Sequence, residues 1–180
     1  MQTENNKNHD AARDDAAILH MVCGKIASGK STLTAALASA RQTILISEDV
    51  WLSRLYPGEI RSLEDYVRCA GRVRHVVAEH VLSLLHTGIS VVLDFPFNTV
   101  ASRAWGYALS QRAGCAHRLH YLDVSDPVCK ARLRERNAQG AHPFQTSEAE
   151  FEQITRYFVA PEPAEKLNVV TYDETGIVRF

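Results

Sequence analysis

Disulfide pairs, metal motifs, membrane spans and an excess of charge are all missing from this 180-residue chain. Cysteine is sparse: Cys23, Cys69, Cys115 and Cys129 are scattered, with no CxxC pair, so a zinc ribbon or a redox dithiol has no framework. The expectation is four reduced thiols in a cytoplasmic protein. Histidine gives no metal pattern either. His75, His80 and His86 share no ligand spacing, and His117 and His120 fall on opposite faces of a strand. No apolar run reaches the length of a membrane helix. The N-terminal stretch MQTENNKNHDAARDDAA lacks the apolar segment of a secretory signal, and residues 1–16 are expected to form a disordered tail. Twenty Lys and Arg against 21 Asp and Glu leave a net charge of −1, which gives no sign of bulk attraction to nucleic acid or an anionic membrane and leaves room only for a small local basic site. No internal repeat is present.

What remains is an ordinary globular composition, 46% hydrophobic and 23% charged, in a length that suits one domain with a sizeable core. Short apolar runs alternate with longer helical patterns, the signature of βαβ units and a parallel sheet. Strands are expected at 17–23, 42–47, 90–95, 117–124 and 167–172. Helices are expected at 30–40, 50–55, 62–86, 99–113, from Ser125 to about 138, and from Ser147 to about 158. Ser125-Asp126-Pro127 is a favourable helix start, and Ser147 with Glu150 forms a capping box. On the long helix Leu63, Val67, Ala70, Val73 or Val77, and Val81 or Leu84 recur at helical spacing and predict a buried face.

GKIASGKST, residues 24–32, carries the chemistry. Gly24-x-x-x-x-Gly29-Lys30-Ser31 fits the P-loop pattern, with a strand before it and a helix after it as the pattern requires. Residues Gly24, Lys25, Ile26, Ala27, Ser28, Gly29, Lys30, Ser31 and Thr32 are expected to wrap nucleotide phosphates, their backbone amides pointing inward at a helix N-terminus. Lys30 would reach the β- and γ-phosphates, and the Ser31 hydroxyl would ligate Mg²⁺. An acid at a neighbouring strand end should lie near the metal. Asp94, closing SVVLD, is the candidate, holding Mg²⁺ through water or orienting an acceptor; Asp123 is a parallel candidate that reads better as a strand-end residue. Asp49 follows the second strand, at the sheet end where ligands gather, and would accept a proton from an attacking hydroxyl, with adjacent Glu48 in competition.

The P-loop together with ISEDVW, VVLDFPFNTVASRAW and RLRERN resembles the small P-loop kinase family, whose members include polynucleotide 5′-kinases, chloramphenicol phosphotransferase, gluconate kinases and zeta toxins. The resemblance spans roughly Leu19 to Tyr172. It implies an α/β, three-layer P-loop NTPase fold: a five-stranded parallel sheet in order 2-3-1-4-5, in one domain over 17–180, with a helical lid at about 132–160. It implies the acceptor base at Asp49, and an acceptor or metal-water contact at Asp94. Lid arginines map onto Arg132, on the adenine side, and Arg136, on the phosphates, four residues apart on one helical face, while Arg134 points elsewhere. TRYFVAPEPAEKLNVV resembles the family's fxxPxxxE segment, which would pack the lid helix to the sheet. Tyr172 and Asp173 would border the adenine.

Two departures bear on the acceptor. Gln139-Gly140-Ala141 stand where polynucleotide kinases carry a further lid arginine, and Leu52 stands where they carry a phosphate-gripping one. Trp51 and Leu52 read either as an apolar wall for a small organic acceptor or as core. Arg61, Arg68, Arg72 and Arg74 form a basic run on the long helix; Arg68, Arg72, His75 and Glu79 share one face, read as solvated, with docking of an anionic acceptor as the alternative. The expectation is an ATP- and Mg²⁺-dependent kinase acting on the hydroxyl of an unidentified small molecule. Nucleic acid is disfavoured as a partner, no membrane is involved, and the chain is a monomer or weak dimer. The alternatives are a nucleic-acid 5′-hydroxyl kinase and a nucleotide-binding switch or slow ATPase acting through a protein partner. ATP is favoured over GTP because no N/T-K-x-D sequence occurs.

Overall fold

β1 (Ile18–Cys23) becomes the centre of the sheet because both its faces are covered: Leu19, Met21, Val22 and Cys23 have no exposed surface. The computed structural model describes residues 16–140 and 146–179, so all but the last residue of the expected tail, and residues 141–145 of the expected lid, lie outside the described residues. β1 pairs in parallel with β3 (Ser90–Asp94) on one side and β4 (Ala116–Leu122) on the other. β2 (Thr43–Ser47) extends the sheet beyond β3, and β5 (Val169–Tyr172) extends it beyond β4, again in parallel. These five strands follow the expected order 2-3-1-4-5. The sheet has a sixth strand, β6 (Val178–Arg179), antiparallel on β5, so the five-stranded expectation is corrected. The chain reverses at Asp173-Glu174-Thr175-Gly176. There Asp173 Oδ1 accepts from the amides of Thr175 and Ile177, and Gly176 takes a φ of 82°.

Helices cover both faces. α3 (Leu63–His86) and α4 (Val100–Ala113) lie over Leu19, Met21, Leu93 and Leu119, and this side holds the larger core. α1 (Lys30–Ala38) and α5 (Asp126–Gln139) lie on the opposite side, where Leu122, Val124, Cys129, Leu133 and Phe151 of α6 (Glu148–Thr155) form a second cluster with Leu33. The ends are chemically marked. Ser62 accepts from the Asp65 amide to start α3, Thr99 and Ser102 form a capping box on α4, and Ser147 and Glu150 form the predicted box on α6. No described helix is long and apolar enough to cross a membrane.

Two local expectations change. The predicted apolar face of α3 holds from Ala70 through Val73, Val77 and Val81, but Leu63 and Val67 are 45% and 62% exposed. In those first turns the inward residue is Tyr66, drawn in by a hydrogen bond to Glu48, which leaves Leu63 and Val67 off the buried stripe. α2 (Glu48–Leu55) starts two residues before the expected Val50, so Glu48 and Asp49 occupy its first turn, where acids favour a helix.

Candidate active site

The loop after β1 is built by backbone constraints. Gly24 has a φ of 157°, and a Cβ there would stand 2.6 Å from Ser28 Oγ and 3.2 Å from the Leu122 backbone oxygen. Ala27 and Gly29 take left-handed φ values of 59° and 108°, which coil the loop into the start of α1. The Gly24 amide donates to Asn98 Oδ1 at 2.9 Å. Ile26 and Ala27 pack on the second cluster, and Lys25 forms an ion pair with Asp126 while its ammonium lies over the Phe158 ring. Side chains at 25–27 therefore anchor the loop. Thr32 is exposed. Ser28 Oγ is buried with no partner among the described residues. Lys30 Nζ folds back over the loop, donating to the carbonyls of Gly24 and Lys25 at 2.7 Å each. Burial lowers the Lys30 pKa, opposed by the negative charge of Asp94 and, more weakly, of Asp49.

Two strand ends face this loop. Ser47 and Asp94 are register partners at the ends of β2 and β3. Burial raises the Asp94 carboxyl pKa, Asp49 adds to the rise, and Lys30 with the Ser31 and Ser47 hydroxyls opposes it. Lys30, Ser31, Asp49 and Asp94 thus share one electrostatic neighbourhood. Arg136 joins them from α5: burial lowers its pKa, Asp49 is the charge that opposes this, and its Nε is buried without a partner among the described residues. A serine hydroxyl beside a carboxylate is the hard-oxygen pair that suits Mg²⁺, with phosphates and water completing the shell. No group of three or more His, Cys, Asp or Glu among the described residues would hold a metal without them.

Glu48 is placed differently from its neighbour. It is 1% exposed; Tyr66 donates to one carboxylate oxygen at 2.5 Å, and Arg74 Nε donates to the other at 3.1 Å. Arg132 donates to Ser28 O at 3.1 Å and to Glu174 O at 2.6 Å, stapling the P-loop to the β5–β6 turn. Arg134 turns outward to Glu148 at 2.5 Å. Asp123 accepts from Tyr121 and Arg179 at the strand end. Leu52 has no exposed surface and Trp51 packs on the larger core, so Leu52 is core rather than an acceptor wall. Arg68 pairs with Asp65, and Arg72 and His75 are exposed. Tyr172 is engaged by His120 at 2.8 Å, and Asp173 by its own turn.

Three features carry no sequence motif. Arg103, on α4, is fully buried and grips Glu165 with two bonds of 2.7 Å, Phe97 O at 3.2 Å and Val159 O at 2.8 Å. The Val159 amide in turn donates to Asn98 O, and Asn98 holds Gly24. The segment resembling fxxPxxxE is therefore tied to α4 and, through Asn98, to the first glycine of the P-loop. The third feature is Arg74, which lies against Trp105.

The family model described as an AAA domain matches residues 19–161. No curated protein sequence matches the chain. Among solved structures the chain is similar to a protein of Chloroflexus aurantiacus J-10-fl described as a candidate kinase, at 25% identity and a TM-score of 0.70, over 89% of this chain and 86% of that one. It shares its fold with Kti12 of Chaetomium thermophilum in complex with ADP-AlF3 (17% identity, TM-score 0.63, 86% and 89% covered). The same holds for the Mycobacterium tuberculosis APS kinase CysC in complex with AMPPNP and APS (18% identity, TM-score 0.55, 87% and 88% covered).

Proposed function

The chain belongs to the AAA domain family and has a P-loop kinase-like fold, and from that premise we propose that it transfers the γ-phosphate of Mg·ATP to a hydroxyl of a small-molecule acceptor. The observation that carries the proposal is the pairing of two carboxylates beside the loop: Asp94, with the hydroxyls of Ser31 and Ser47, and Asp49, whose charge bears on both Asp94 and Arg136. A phosphate-binding switch needs the first carboxylate; a kinase also needs the second. That related folds are crystallised with ADP-AlF3 and AMPPNP supports an adenine nucleotide.

In this reading the amides of residues 24–32 hold the phosphates, and Lys30 exchanges its two loop carbonyls for phosphate oxygens. Mg²⁺, held by Ser31 and through water by Asp94, would supply neutralisation of the phosphoryl oxygens. Asp49, whose charge bears on both Asp94 and Arg136, is the base that accepts the acceptor's hydroxyl proton, while Glu48 is the buried partner of Tyr66 and Arg74. Arg136, whose Nε has no partner among the described residues, stabilises charge on the transferred group, and Arg132 borders the adenine side. The segment at about 132–160 acts as a lid that excludes water.

The test is ATP consumption with Mg²⁺ and pooled hydroxyl compounds, with mass spectrometry for products heavier by one phosphate, in wild type and Asp49→Asn. Phosphorylated product with wild type and a loss of about 100-fold or more in the variant is expected. Equal product formation by both proteins would remove Asp49 from the mechanism. Tight ATP binding with no product from any pool would favour a switch.

A further inference from the structure

Arg74 is the arginine of α3 that turns toward the ends of β2 and β3. Its Nε donates to Glu48 Oε2 at 3.1 Å, and its guanidinium carbon lies 5.8 Å from the centroid of the Trp105 ring. That ring lies 5.9 Å from the rings of both Phe95 and Phe97. Glu48 immediately precedes Asp49, and Phe95 immediately follows Asp94. The guanidinium is therefore held by Glu48 and Trp105, and Trp105 packs on Phe95, so its two supports are linked to the chain neighbours of the two site acids. Its side chain is 29% exposed, and its two terminal nitrogens have no acceptor among the described residues.

An arginine kept only to neutralise Glu48 would favour a fork with two parallel N–H···O bonds. Here only Nε is used, and Tyr66 satisfies the other carboxylate oxygen. The terminal pair, a planar fork of four N–H donors, remains for something else. Trp105 and the Nε bond to Glu48 already restrict the guanidinium, so less ordering is left on binding. Glu48 cancels the charge but not the directional donors, which selects a planar or tetrahedral oxyanion over a loose anion.

We infer that Arg74 receives a carboxylate or phosphate group carried by the hydroxyl-bearing acceptor. The inference rests on the kinase reading above and narrows its substrate class to hydroxy acids or phosphorylated alcohols. A neutral sugar or nucleoside would leave the fork unpaired.

The test titrates glycerate, glycerol 3-phosphate and glycerol into the full-length protein by calorimetry, with and without saturating Mg·AMPPNP. Wild type, Arg74→Met and Arg74→Lys are compared. Because Arg74→Met leaves a buried carboxylate, the double variant Glu48→Gln/Arg74→Met is included, which folds without that charge. With the nucleotide bound, one of the two anions is expected to bind at least about tenfold more tightly than glycerol, the worth of a paired ionic hydrogen bond. The better anion identifies the group. Arg74→Met and the double variant should fall to the level of glycerol, and Arg74→Lys should lie between. No anion preference in wild type, or the same preference without the guanidinium, would overturn the inference. Failure of AMPPNP to bind would overturn the P-loop reading separately, and the comparison without nucleotide would still decide the role of Arg74.

Discussion

Acid should destabilise this fold through a pair of stacked histidines in the sheet. His20 on β1 and His120 on β4 stack at 5.2 Å, with Nδ1 of His20 and Nε2 of His120 3.0 Å apart; Nδ1 of His120 meets the Tyr172 hydroxyl at 2.8 Å. With both rings neutral a single proton lies in the contact between them, one ring donating and the other accepting. With both rings charged, two N–H groups would point at each other. Burial lowers both pKa values to about 4 from 6.5; Arg118 adds to it at His20, and His20 and Arg118 add to it at His120. Between about pH 6.5 and 4 the unfolded chain thus binds more protons than the folded one. The contribution to stability is complete above about pH 6.5, declines as pH falls, and is lost by about pH 4. For one imidazole the displacement corresponds to about 3 kcal/mol, discounted at the half-buried His20, and the second ring adds up to a similar amount. That is a large share of a domain stability of about 5–15 kcal/mol. Urea denaturation of wild type and His20→Gln/His120→Gln at half-unit steps from pH 8 to pH 4 measures it. The two stabilities should converge by about 3 kcal/mol or more on descending through the window. Parallel curves, or an NMR titration placing both imidazoles near 6.5, would refute the reasoning.

Gly24→Ala should cost nucleotide affinity about tenfold or more in a fluorescent-nucleotide titration, because the added methyl displaces Ser28 and Leu122 from the loop. Arg103→Met should lower the urea-derived stability by about 3–5 kcal/mol, since Glu165 and the carbonyls of Phe97 and Val159 lose their partner. Asn98→Leu, which removes the acceptor of the Gly24 amide, should weaken nucleotide binding with a stability loss of only about 1–3 kcal/mol. A fall in stability with unchanged nucleotide affinity would show that Asn98 does not set the loop.

Legibility followed the range of the interactions. The P-loop could be read because Gly24, Gly29, Lys30 and Ser31 act within a few residues of one another, and the strands because their apolar runs are continuous. The order of the sheet came from resemblance, since periodicity carries no information on which strands are neighbours. β6 was missed although Asp173 and Gly176 supply the turn chemistry locally. Arg103 and Asn98 were not legible: their partners lie 62 and 74 positions away, and an arginine in VASRAW looks like any solvated helix charge. Glu48 and Asp49 could not be separated in sequence because one turn of α2 decides which of two adjacent acids points inward. On α3 the sequence drew notice to the exposed Arg68 and Arg72, while the inward member of the run is Arg74.

The clamp around Arg103 joins stretches of sequence that lie far apart. Asn98 and Arg103 lie well beyond the phosphate loop, and Val159, Ala160 and Glu165, which complete the arginine's bonds, lie well beyond them. Without those carbonyls and that carboxylate, a lone guanidinium in the core would oppose closure of the α4 side. The first glycine of the phosphate loop is tied through Asn98 to that distant segment, so a change there can reach the loop without touching it.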